Sequence, residues 1–237
     1  MLRTRYSYDH YAWCYEWIAS VFSLGAIPRV KASQVAALEP GQRVLYVGVG
    51  AGEDALLAAR RGLDLTCLDL SQPMLRRLAG RLDAAGLKAE LIHDDILDHT
   101  VDARYDAIVA NFVLNVFSQE TLAVVMRHIA SLLAPGGRLL IADFTPPGEG
   151  PTRRFLYGCY YRPINWVAWA LQLCALHPIY DYASYLEDAG LRLTQRTTEA
   201  LWRGGSRIQG PRLFETLTAE PATAEAAPTV SRLAKAD

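Results

Sequence analysis

The chain reads as an α/β protein built on a doubly wound, mostly parallel sheet of seven strands. Two observations predict this. Short apolar runs alternate with amphipathic stretches of helical length from Arg43 onward, the pattern of strands joined by crossover helices. The first such run, Val44–Val47, passes into three glycines at alternate positions and then an Ala/Leu-rich stretch, a strand, tight turn and helix start in immediate succession.

Each element follows in order. The aromatic stretch over 6–24 and a helix from near Pro28 to just before Pro40 form an N-terminal helical cap over residues 1–40. The main domain spans 41–218. Strand one is Arg43–Val47, and helix Glu53–Arg61 stops at Gly62. Strand two is Leu65–Leu68, ending on Asp69. Ser71 caps a helix that has Pro73 in its first turn and runs to Gly86. Strand three is Ala89–His93, and strand four is Tyr105–Ala110, ending on Asn111. Helix Gln119–Leu133 stops at Pro135-Gly136-Gly137, and strand five is Arg138–Asp143. Residues 151–182 interrupt the alternation and are expected to form a helical lid, with Pro163 opening its second helix, Ile164–Leu176. Helix Tyr182–Ala189 and strand Leu191–Thr197 resume the pattern. A last strand is placed around Leu201–Leu213, and 219–237, poor in large apolar groups, is expected to be a disordered tail.

Composition excludes several classes. A net charge of −1 gives no basic footprint for nucleic acid. Cys14, Cys67, Cys159 and Cys174 are scattered, which speaks against a disulfide framework and fits a reducing, cytoplasmic setting. No His, Asp or Glu group has metal-ligand spacing. The N-terminus lacks the continuous apolar core of a signal peptide, and Ile164–Leu176 is too short for a membrane span.

Spacing in the glycine turn separates ligand classes. Dinucleotide sites use Gly-x-Gly-x-x-Gly, whereas this chain has Gly48-x-Gly50-x-Gly52 followed by Glu53 and Asp54. Carboxylates at a helix start suit the helix dipole but oppose a pyrophosphate there. S-adenosylmethionine (SAM) carries adenine, ribose and an amino acid without phosphate, and fits. Asp69, ending strand two, is placed to accept ribose hydroxyls. Asp95, after strand three, is placed to accept the adenine amino group, with Leu70 and Ile96 set to sandwich the ring. Gly48, Val49, Gly50 and Asn111 complete the candidate cradle. Any one of these residues alone also serves as a turn or helix cap.

The runs VLYVGVGAGEDALLAARRG, LDLSQPMLRRL, HDDILD, YDAIVANFVLNVF and LLAPGGRLLIADF resemble, in order, the class I SAM-dependent methyltransferases, whose fold is Rossmann-like. The segment YAWCYEWIASVFSLGAIPRVK further resembles the opening of the ubiquinone/menaquinone C-methyltransferases. The resemblance implies SAM as cofactor, with Tyr15 closing over its methionine end, and methyl transfer to a small lipophilic or aromatic, quinol-like acceptor. It departs at Tyr46, where the family carries an acid that helps hold the cofactor's ammonium. That departure implies compensation by Glu16, Glu53 or Asp54, or weaker binding, or chemistry other than methyl transfer. A carbon acceptor needs a base, for which His177, Tyr160, Tyr180 and Asp143 are the candidates. A lipid-headgroup N-methyltransferase and an inactive SAM-fold binding subunit stay open as readings of the same residues. Aromatic and basic residues in 151–182 also suit peripheral membrane contact.

Overall fold

The computed structural model describes residues 23–50, 52–101, 104–146, 151–170, 179–204 and 208–222. Expectations for the helices before residue 23, including Tyr15 and Glu16, for His177, for residues 171–176 and for the tail beyond 222 lie outside the described residues. The side chain of Tyr160 does as well.

In chain order the elements are α1 (Ala26–Ala36), β1 (Arg43–Val47), α2 (Glu53–Arg60), β2 (Asp64–Asp69), α3 (Gln72–Ala85), β3 (Glu90–His93) and β4 (Tyr105–Asn111). A 3₁₀ turn (Leu114–Val116), α4 (Gln119–Ser131), β5 (Leu133–Phe144), α5 (Pro151–Ala170) and α6 (Tyr182–Asp188) follow. The chain closes with β6 (Leu191–Ala200), β7 (Arg203–Gly204), β8 (Ile208–Gln209) and β9 (Arg212–Pro221). The seven-stranded sheet has the order β3-β2-β1-β4-β5-β9-β6. Pairings are parallel from β3 to β5, and β9 runs antiparallel to both β5 and β6.

The strand order reverses between β1 and β4, the place where open α/β sheets hold ligands. Successive β1 side chains pack into opposite faces. Leu45 and Val47 join a core with Leu122, Met126 and Leu186, while Val44 and Tyr46 join one with Val35, Ala58 and Leu78. Burial on both faces is why β1 is apolar without alternation. Ser71 Oγ caps α3 by accepting from Met74 N at 3.4 Å, as the sequence predicts.

The structure corrects the sequence-based expectations for several later elements. Pro163 does not open a second helix; it lies inside the 20-residue α5. Its ring sits on an exposed side of the helix, so it forfeits a backbone bond without entering the packed face. Arg203–Gly204 and Ile208–Gln209 are not part of the last strand but pair antiparallel as β7 and β8. The strand itself is Arg212–Pro221, so residues 219–221 belong to the sheet and not to a tail. Ala219 there is fully buried opposite Leu139 of β5 and Leu193 of β6.

Candidate functional site

Gly48 and Gly50 have φ of +65° and +56°, values that favour glycine. A Cβ on Gly48 would lie 2.3 Å from Val113 Cγ2, whereas one on Gly50 would meet nothing within 4 Å. Gly48 therefore lets the loop after β4 close over the turn, and Gly50 leaves open ground above bare backbone. Gly48 N donates to Leu68 O at 2.9 Å, tying the turn to β2.

Asp69 ends β2 and fixes this turn. Its Oδ2 accepts from Gly50 N and its Oδ1 from Ser71 N, both at 2.8 Å. Asp69 is partly exposed at the end of β2, where ribose hydroxyls would reach its carboxylate. Asp95 is also partly exposed, and its Oδ1 accepts from Leu97 N at 3.0 Å. Leu70 is 51% exposed at the rim and can cover one face of a flat ring. Ile96 is buried in the core cluster that includes Val47 and Leu114 and does not stand open as the second wall for a ring.

At the end of β4, Asn111 Nδ2 donates to Asp54 Oδ2 at 2.9 Å. Asp54 Oδ1 lies 3.4 Å from Lys31 Nζ on α1. The Oδ1 of Asn111 and the hydroxyl of Tyr46 are buried without hydrogen-bond partners. Burial, and after it the charge of Asp54, pushes the Tyr46 phenol far above its ordinary pKa, so it stays protonated. Phe112 follows with φ of +56°, an uncommon conformation for a residue with a side chain.

On the far side of the switch point, Asp143 near the end of β5 is buried. Its Oδ1 accepts from Asn115 Nδ2 and Phe144 N at 2.8 Å, and its Oδ2 from Tyr182 OH at 2.5 Å. Burial pushes its carboxyl from an ordinary 3.8 up to about 6, against the lowering effect of these donors. Glu215 of β9 stands directly opposite in register, fully buried and paired with Arg196 at 2.9 and 3.3 Å. On the other face of the sheet, Phe144 packs against Phe112, Phe214 and Tyr161 of α5, with centroids 5.7, 5.4 and 5.0 Å away. The Tyr157 hydroxyl is buried there without a partner. Tyr180 is drawn elsewhere: it is buried in the core, and its hydroxyl donates to Phe117 O at 2.8 Å.

Sequence reasoning singles out Asp143 but misses Asn115, Tyr157, Tyr182 and Glu215. No local spacing marks them, because they meet only through long-range pairing. Asp54 has a usable signal. It shares a buried helical stripe with Ala55, Ala58 and Ala59, whereas Glu53 points to solvent.

A glycine cradle, a carboxylate ending β2 and a polar group ending β4 are the arrangement of the class I SAM-dependent methyltransferases. A family model described as "Methyltransferase domain" matches residues 44–137. The chain is 31% identical over 170 residues to the ubiquinone/menaquinone biosynthesis C-methyltransferase UbiE of Syntrophotalea carbinolica, covering 68% of this chain and 69% of that one. Among solved structures it is similar to magnesium protoporphyrin IX methyltransferase from Synechocystis PCC 6803 with bound SAH (TM-score 0.60, 19% identity, covering 84% and 83%). It is also similar to the [4+2]-cyclase SpnF (TM-score 0.59, 21% identity, covering 81% and 80%). The chain belongs to the ubiquinone/menaquinone C-methyltransferase family within the SAM-dependent methyltransferases. It spans 60–69% of the length of four curated methyltransferases of quinone biosynthesis, and 26–52% of other curated relatives it matches. The residues present fit the family's cofactor, SAM. The turn has open ground at Gly50, Asp69 is partly exposed beside it, and Asn111 keeps a buried acceptor with no partner.

Proposed function

We propose that the protein methylates a small lipophilic or aromatic, quinol-like acceptor seated beneath α5. The aromatic group of Phe112, Phe144, Phe214, Tyr157 and Tyr161, packed beside the strand end that carries Asn111, is the observation that supports this most. Such a wall favours a greasy ring and excludes water. The names of the relatives that act in quinone biosynthesis point the same way.

When bound, SAM supplies a methyl group already activated by its sulfonium. The chain's own work is to orient the acceptor in line with it, keep water out and manage one proton. A phenolic carbon acceptor must lose its O–H proton before the ring attacks, and Asp143 is our candidate to take it. With its carboxyl pushed up to about 6, it is ionised at neutral pH yet far more basic than an exposed aspartate. Asn115 and Tyr182 orient it. Among the remaining candidates, the Tyr180 hydroxyl is engaged by Phe117 O.

Access for a long-tailed acceptor would come across the outer face of α5. Phe155, Trp166 and Val167 are exposed there beside Arg154 and Arg162, and Pro151–Ala170 contains no Asp or Glu. That combination suits peripheral contact with an anionic lipid surface. No helix among the described residues is long and apolar enough to cross a membrane.

The test is release of S-adenosylhomocysteine (SAH) with long-tailed quinols, tail-less phenols and aminolipids, alongside sedimentation with anionic vesicles. Turnover of quinols with vesicle binding supports the reading. Turnover confined to small polar acceptors, without vesicle binding, would sink it. Tyr46 and the likeness to a cyclase favour a second reading, a SAM-fold enzyme of different chemistry. Conversion of a quinol without SAH release would select it.

A further inference from the structure

We infer that Asp54 is a positioning residue for the amino-acid end of the cofactor, acting through Asn111; this rests on the SAM-binding reading above. Ala110 pairs with Val47, which places Asn111 beside Gly48 at the switch point. Asn111 shares its sheet face with Val109, and Val109 pairs with Tyr46. Two buried polar atoms without partners therefore belong to this one face: Asn111 Oδ1 and Tyr46 OH. Burying an acceptor with nothing to accept is costly. A ligand ammonium, with its N–H donors, is the group that satisfies Oδ1 and the phenol oxygen together.

Asp54 decides which way the Asn111 amide faces. An ionised carboxylate only accepts hydrogen bonds, so the Nδ2 of Asn111 must turn toward Asp54 Oδ2, which it meets at 2.9 Å. Oδ1 is then left for the ligand. Without that constraint the amide is free to flip and present its N–H groups to a cation. Asp54 also places a negative charge one amide away from the ammonium. Lys31 holds its other oxygen from α1 at 3.4 Å. Tyr46, neutral and protonated, supplies no charge of its own.

Asp54 and Asn111 thus carry this role jointly. Glu53, one residue earlier, points to solvent and does not share it.

The test compares two ligands in the full chain by calorimetry: SAH, which carries the amino acid, and 5′-methylthioadenosine, which lacks it. Asp54→Asn and Asn111→Leu should each weaken SAH about tenfold, the scale of one charge-assisted hydrogen bond. Both should leave methylthioadenosine within about twofold. Tyr46→Phe should weaken SAH by a smaller factor and also spare methylthioadenosine. Methylthioadenosine binding serves as the fold control. An equal loss of both ligands makes Asp54 merely structural, and unchanged SAH affinity removes it from the site; either result overturns the inference. A wild-type chain that binds neither ligand overturns the SAM-binding reading itself, and the inference with it.

Discussion

The β1–β2 side of the cleft and the β5–β9 side hold carboxylates in different ways. On the first, Asp69 and Asp95 are partly exposed and held by backbone N–H groups within a few residues or one strand away. On the second, Asp143 and Glu215 are buried opposite each other, and their side-chain partners Asn115, Tyr182 and Arg196 come from separate elements. Backbone donors fix a carboxylate while leaving lone pairs and space for a ligand. Burial makes a carboxylate more basic. The proposed function divides along the same line, with the cofactor on the first side and the proton transfer on the second.

The largest expected effect breaks the first side. Gly48→Ala adds a Cβ in a left-handed backbone conformation, costing roughly 1–2 kcal/mol. It also drives that carbon to 2.3 Å from Val113 Cγ2, and overpacking of this kind costs a further ~1–3 kcal/mol. Chemical denaturation should show a loss of several kcal/mol, with cofactor binding abolished and Gly48→Ala/Val113→Ala partly restored. A Gly48→Ala variant as stable as the parent would mean that the turn is not as tight as described.

The second prediction sharpens the contrast on the other side. The folded-state pKa of Asp143, about 6, lies above its ordinary 3.8. Its contribution to stability is therefore fully present below pH about 4 and is lost as pH rises through about 6. The gap corresponds to about 2–3 kcal/mol. Denaturation of the parent and Asp143→Asn between pH 4 and 7 should show the variant gaining in relative stability by that order as pH rises. Asp143 also helps raise Glu215, so the difference reports Asp143 together with its coupling to Glu215. A difference that stays flat with pH would show that the carboxyl titrates normally.

The same contrast explains what is legible in the sequence. β1, β2 and the caps of α3 are set by neighbours in the chain, so glycines, Ser71 and Asp69 can be placed from spacing. Asp54 is visible as an acid at a helix start, but its inward direction depends on helical phase, and a helix-start acid ordinarily faces water as Glu53 does. β9 escapes the pattern because its buried Leu213, Phe214, Leu217 and Ala219 are interrupted by the buried Glu215 and the half-buried Thr216 and Thr218. What makes it a strand is antiparallel pairing to β5 and β6 on either side. Pro163 resembles a helix start under a local rule, yet the packing of Tyr157 and Tyr161 holds one continuous helix through it.

The central claim is that the glycine turn and Asp69 form a cradle for a cofactor without phosphate. Calorimetric titration of the parent chain and Asp69→Ala with SAH and with NAD tests it most directly. The account predicts that the parent binds SAH and not NAD. It also predicts that Asp69→Ala weakens SAH by roughly 1–3 kcal/mol, the scale for losing hydrogen bonds to a charged group. Binding of NAD by the parent, or SAH affinity unchanged in Asp69→Ala, would contradict it.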